Sequence, residues 1–215
     1  MRANGIRLDL SHDQGGDTGL WGSVQQHLLT GKNVPDNWRT RLMGGSYYKL
    51  INEDHRRVSV GLNAMWWHYQ QDLSGYTLGQ GGYYSPQNYL SVSLPVSYRQ
   101  RVQDWSWELG GSVSWSQART DDSRRYPLPG LLPDGLPDKD APVAGGSSSG
   151  MGYTLNGMVE HRLTDHWRIG GRIDIQQADD YAPSHATLFL RYTFKPWRGD
   201  LDMPPLPLTP YAEFD

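Results

Sequence analysis

Cysteine is absent from the 215 residues, which removes disulfides, thiolate nucleophiles and cysteine metal sites together. Long apolar runs are also missing: nothing approaches the roughly 18 uninterrupted apolar residues of a membrane helix. No excess of one charge is present either, since 20 basic and 23 acidic side chains leave a net charge of -3, too small to imply a nucleic-acid partner. Phe is scarce at three, against nine Trp and thirteen Tyr. That bias favours rings with a polar edge, which suit a membrane interface or a sugar-binding face. No signal peptide opens the chain: Met1-Arg2-Ala3-Asn4-Gly5 leads straight into strand-like sequence. An export signal, if the protein is exported, is therefore expected outside these residues.

Signatures of catalysis are missing too. His55, His68, His161, His166 and His185 are scattered without HExxH spacing, and no GxSxG or P-loop string occurs. Glu108 and Glu160 are the pair that a glycosidase reading would use, but isolated acids on strands suit a channel wall as well. The pairs Gly44-Gly45, Gly81-Gly82 and Gly110-Gly111 read as strand flexure or close packing. No catalytic residue, metal or cofactor is expected.

What the chain does have is alternation. Twenty-five Gly and fourteen Pro oppose a helical protein, and the dominant period is two. Trp105, Trp107, Leu109, Gly111, Val113 and Trp115 alternate with Ser106, Glu108, Gly110, Ser112, Ser114 and Ser116, so a strand would point the two rows to opposite faces. The mean hydropathy of -0.67 looks soluble only because such alternation cancels in an average. The pattern predicts nine strands near 4–12, 18–29, 38–51, 56–70, 87–101, 104–118, 150–164, 166–179 and 185–196. Most are longer than soluble strands and exceed the roughly 9–11 residues that cross a bilayer.

Connections are expected to alternate: short at 13–17, longer at 30–37, short at 52–55, long at 71–86, tight at Gln103, very long at 118–149, tight at Asp165 and moderate at 180–184. Outer-membrane barrels combine short periplasmic turns with longer extracellular loops. With the last strand descending to the periplasm, Tyr48, Tyr98, Trp105, Trp107, Trp167, Tyr192 and Phe194 fall near the periplasmic ends. Trp38, Trp66, Trp115 and Tyr153 fall near the extracellular ends, giving two aromatic girdles. The expected fold class is all-β, a transmembrane antiparallel up-and-down β-barrel over 1–196, followed by a proline-rich tail, 197–215. Because single-chain barrels have even strand numbers, an odd count suggests that Met1 starts partway through a larger barrel. A soluble β-sandwich is the competing fold.

Particular strings carry a resemblance. Residues 75–86 read GYTLGQGGYYSP, 104–117 read DWSWELGGSVSWSQ, and 181–211 read YAPSHATLFLRYTFKPWRGDLDMPPLPLTPY. Along essentially its whole length the chain resembles the C-terminal domain of the outer-membrane subunit of bacterial cellulose synthase, the cellulose synthase operon protein C family. The resemblance implies periplasmic tetratricopeptide repeats joined to a barrel of about sixteen strands that carries nascent β-1,4-glucan out of the cell. It implies as partners the glucan polymer, outer-membrane lipid, and periplasmic and inner-membrane cellulose synthase components, with energy supplied at the inner membrane. The nine strands read here would then be part of such a barrel.

The rows opposite the apolar ones are expected to line the lumen. They carry Arg39, Arg41, Lys49, Arg57, Arg99, Arg162, Arg168, Arg172, Arg191 and Lys195, with fewer acids in Asp9, Glu108, Glu160 and Asp174. Most read as a solvated wall with cross-strand ion pairs; a sharper reading is anion selectivity. Inward aromatics are Trp21, Tyr47, Trp67, Tyr69 and Phe189, which with Arg191 are the candidate glucan contacts. Weak repeated contacts let a polymer slide without being held. Against this, Trp67 and Tyr69 could simply pack beneath the 71–86 loop at the rim. The proline-rich tail is read either as a disordered periplasmic segment or as a chain folding back to narrow the pore. Three functions follow: a passive cellulose export conduit, a general or anion-selective porin, and a soluble carbohydrate-binding sandwich.

Overall fold

The computed structural model describes residues 1–75, 82–137, 141–177 and 182–203. Its strands are β1 (Arg2–His12), β2 (Thr18–Gly31), β3 (Val34–Asn52), β4 (Arg56–Tyr69), β5 (Asn88–Val102), β6 (Trp105–Thr120), β7 (Ser123–Arg124), β8 (Pro142–Val143), β9 (Gly146–Arg162), β10 (Trp167–Gln177) and β11 (Ser184–Tyr192). Nine of them form one sheet in the order β1-β2-β3-β4-β5-β6-β9-β10-β11, and every neighbouring pair is antiparallel. The tiny β7–β8 hairpin stands apart from the sheet inside the long connection between β6 and β9. Among the described residues the only helical element is a 3₁₀ turn at Pro129–Leu131.

The two faces obey the alternation. Leu8 is 58% exposed, Leu109 56% and Ile173 49%, whereas Gln25, Ser106 and Glu160, on the opposite rows, are 1%, 0% and 2% exposed. The tail covers Ser106, but no such contact covers Gln25 among the described residues; shelter there requires the sheet to curl toward its polar side, so the polar face is concave and the apolar face convex. Aromatic side chains, among them Trp105, Trp167 and Tyr192 at one end and Trp38, Trp115 and Tyr153 at the other, bracket the aliphatic rows of the convex face.

Three departures from the expected layout have physical causes. The connection expected over 30–37 shrinks to Lys32-Asn33, because β2 and β3 run on and pair up to Gly31 and Val34. Asn33 takes a positive φ of 57° there, a conformation that Asn tolerates better than most residues. Short connections therefore occur at both ends of the sheet. The last strand ends at Tyr192 rather than 196: Thr193 N–H bonds His166 O, and Trp197 N–H bonds Asp165 O, so the chain hooks around the β9–β10 turn. Lys195 consequently lies beyond the strand and is exposed. The tail then crosses the concave face. Arg162 donates to Trp197 O and Gly199 O, Arg101 to Leu201 O, and Ser106 Oγ to Asp202 O at 2.9 Å, with Leu201 only 1% exposed. The prolines Pro204, Pro205, Pro207 and Pro210, residues 76–81 of the long loop and 178–181 of the last connection lie outside the described residues.

Candidate functional site

The trough on the concave face is shaped by an interruption in its central ladder. Pro95 lacks the backbone N–H that a central strand needs, and the β4–β5 register skips from Val60↔Val96 to Asn63↔Ser93. Gly61 fills the skipped position, and a side chain there would crowd Ser46 O and the Pro95 ring. The result is a recess of about 430 Å³ whose walls include Trp21, Tyr47, Lys49, Arg57, Asn63 and Arg99.

Two aromatic rings lie flat against this wall. Any Cβ on Gly19 would strike the Tyr47 ring, and one on Gly45 would strike the Trp21 indole, so each ring covers a glycine of the neighbouring strand. Rings laid flat present a π face to the trough, the geometry that stacks against the C–H face of a pyranose. Tyr47 is fixed in that pose by its hydroxyl, which donates to Asp13, and Lys49 donates to the same carboxylate at 3.1 Å and to Gly16 O at 2.9 Å. The 13–17 turn is thereby folded onto the trough, and the Lys49 N–H bond to Asp17 O adds to it.

The hydrogen bond from Tyr47, then those from the Gly15 N–H and Lys49, hold the Asp13 carboxyl down to about 2 from its ordinary 3.8. A carboxyl depressed in this way supports the docked turn fully above its unfolded value and loses that support as the pH falls through its folded value. The turn is therefore expected to stay docked from neutral pH down past 3.8 and to release only toward about 2. Carboxyl-carbon NMR should give Asp13 a midpoint near 2; an ordinary carboxylate midpoint of about 4 would mean that the turn is undocked.

Nearer the opposite end of the strands, Trp67 is sandwiched. The Arg41 guanidinium sits 4.3 Å from its ring centroid and Tyr89 packs at 5.3 Å, so it keeps an edge toward the trough rather than an open face. Tyr69 is only 5% exposed and packs against Tyr83 of the following loop at 6.0 Å. That loop is pinned to the concave face by Asn37, which is fully buried: its Nδ2 donates to Gln71 O and to the Tyr83 hydroxyl, both at 2.9 Å, and its Oδ1 accepts from Gln71 N–H. Leu73 and Ser85 are buried within the loop, joined by the Leu73 N–H to Ser85 Oγ bond. Tyr69 thus lies beneath the loop at the rim, as one of the two readings of this residue expected.

Phe189 and Arg191 belong to a third place, on the last three strands. Glu160, 2% exposed, stands between Arg168 at 3.4 Å and Arg191 at 3.2 Å. Phe189 is 7% exposed and covers Gly170 as Tyr47 covers Gly19, while the Arg191 guanidinium reaches its ring at 5.8 Å. Glu108 meets Arg99 at 3.2 Å, and Arg172 chelates Asp174. Glu108 and Glu160 do lie on paired strands, but each is occupied by arginine. Of the six candidate contacts, Trp21 and Tyr47 share one recess, Trp67 lies further along the trough, Tyr69 is under the loop, and Phe189 with Arg191 sit in the Glu160 cluster. Sequence reasoning missed Asp13, Asn37, Gly61 and Pro95. The only available signal among them was a proline inside a strand pattern.

Long antiparallel strands joined in sequence order, exposing their apolar face and curling around a cationic, aromatic trough, define an all-β up-and-down wall protein. Residues 1–195 match the family described as cellulose synthase operon protein C C-terminus, and the chain belongs to that family. It is 56% identical over its full length to the cellulose synthase operon protein C of Salmonella typhimurium, covering 18% of that protein. It is 55% identical over its full length to that of Escherichia coli K12, covering 19%, and 32% identical over 98% of its length to that of Pseudomonas fluorescens, covering 16%. The chain thus spans less than a fifth of the length of these relatives.

Proposed function

We propose that this chain forms part of the wall of an outer-membrane β-barrel that conducts a β-1,4-glucan out of the cell during cellulose biosynthesis, without cofactor or chemistry of its own. The observation that carries this reading is the sidedness of the sheet. A leucine-rich convex face bracketed by aromatics suits lipid, and a polar concave face with flat-lying rings suits a hydroxylated polymer. Nine strands of nine to nineteen residues are long enough to cross a bilayer when tilted, and the two free edges, β1 and β11, would pair with further strands of a closed barrel. The family membership supports the substrate. The synthase components in the inner membrane and periplasm are the partners that deliver the polymer. Trp21 and Tyr47 are the principal stacking contacts; Trp67 offers its edge to the polymer further along, and Tyr69, Phe189 and Arg191 shape the wall.

The test uses the full-length gene product. Replacing Trp21, Tyr47 and Trp67 together by alanine is expected to cut secreted glucan several-fold while the heat-modifiable gel mobility of the barrel is unchanged. Undiminished secretion by a correctly assembled triple variant would remove the stacking role. An anion-selective porin is the second reading, favoured by the cation excess around the recess. Conductance indifferent to cello-oligosaccharide would favour it.

A further inference from the structure

The recess beside Pro95 holds an electrostatic imbalance that the sheet itself does not correct. Arg57 and Arg99 are directly opposed in the β4–β5 register, and both point into the trough. Like charges facing each other across a ladder destabilise it. Lys49, on the next strand over, adds a third cation to the same wall. Two of the three have carboxylate partners: Lys49 has Asp13 at 3.1 Å, and Arg99 has Glu108 at 3.2 Å. Arg57 has no ion pair among the described residues, and its Nε is buried without a hydrogen-bond partner. One row along, Ser59 and Ser97 face each other at 3.0 Å and share a hydrogen bond in which either can donate. The cleft therefore offers one uncommitted guanidinium, a second held from the side by Glu108, and two hydroxyls.

We propose that this cleft is an oxyanion-binding subsite centred on Arg57 and Arg99, taking a phosphate or carboxylate group. A planar guanidinium presents paired donors that match such a group in two-pronged fashion, and an anion between the two arginines removes the like-charge opposition. The site lies in the same recess as the flat Trp21 and Tyr47 rings, so a sugar stacked there would bring a charged substituent within reach of Arg57. The oxyanion has two sources, a free small anion or an acidic substituent on a passing glycan. The second source rests on the export reading, and the first does not.

Titration calorimetry on the detergent-solubilised full-length gene product separates these cases. Inorganic phosphate is expected to bind in the wild type, and Arg57→Gln to weaken that binding by about tenfold, the worth of one lost charge-assisted hydrogen bond. Arg57→Lys should fall in between, since it keeps the charge and loses the fork. Arg119→Gln, on an exposed rim pair with Asp121, should leave phosphate binding unchanged. Should Arg57→Gln not assemble, Arg57→Lys and Ser59→Ala carry the comparison. A cello-oligosaccharide oxidised to carry carboxylates should then bind more tightly than the neutral one, with Arg57→Gln erasing the difference. Equal binding of the two sugars alongside Arg57-dependent phosphate binding assigns the site to free anions. Failure of both sugars to bind, with phosphate binding intact, would count against the export reading and leave the subsite standing. Phosphate binding that is absent, or equal in wild type and the Arg57 variants, overturns the proposal.

Discussion

Deleting residues 199–215 from the full-length gene product is expected to raise its permeability to small solutes several-fold. The expectation rests on where residues 197–203 lie: across the concave face, over the ends of β5, β6 and β9. Their attachments differ in weight. Burying the Leu201 side chain contributes about 2 kcal/mol, and each neutral hydrogen bond, such as Ser106 Oγ to Asp202 O, about 1 kcal/mol. The Arg101–Asp200 pair is long, at 3.7 Å, with Asp200 78% exposed, and such rim pairs contribute about 0–1 kcal/mol. Leu201 is the buried apolar anchor, beside the charge-assisted bonds from Arg101 and Arg162 to the carbonyls of Leu201, Trp197 and Gly199, and Leu201→Asp is expected to reproduce part of the effect of the deletion. Permeability unchanged in both variants would show that the segment lies beside the path rather than across it.

Glu160→Gln is expected to lower the unfolding free energy by about 3 kcal/mol, the usual cost of removing one member of a buried ion pair. Glu160 is the one carboxylate between Arg168 and Arg191, and both it and Arg168 are shielded from solvent. Neutralising it leaves two guanidinium groups facing each other with little water to screen them. Removing the opposition along with the acid should cost much less, so Glu160→Leu combined with Arg168→Met is expected to be milder than the sum of the single changes. Urea unfolding of the detergent-solubilised protein, followed by tryptophan fluorescence, reads both. A Glu160→Gln variant within about 0.5 kcal/mol of wild type would mean that water reaches the cluster.

How much of this was legible beforehand depends on whether a feature repeats. The nine long strands, and which rows face the trough, follow from period-two alternation, because every residue of a strand such as Trp105–Thr120 votes for the same register. Contacts made once leave no such trace. Asn37 is an ordinary polar residue in sequence and becomes the pin of the 70–87 loop only because that loop folds back onto it. Leu201 belongs to a proline-rich stretch whose composition favours extended chain but names no docking place. The length of a turn was equally hidden at Lys32-Asn33, where a longer connection was expected over 30–37 and cross-strand pairing carried the strands through it. The recess had one legible clue in Pro95, whose meaning required knowing that β5 is central.

The strand order carries a kinetic consequence. Since every long strand pairs with its neighbour in sequence, each new rung closes only a local loop, and closure entropy grows slowly with loop length. The sheet is thus built as successive hairpins with low contact order for so large a β structure, and the rate-setting closures are expected at the 70–87 and 121–145 connections, where the zipper must span its widest gaps.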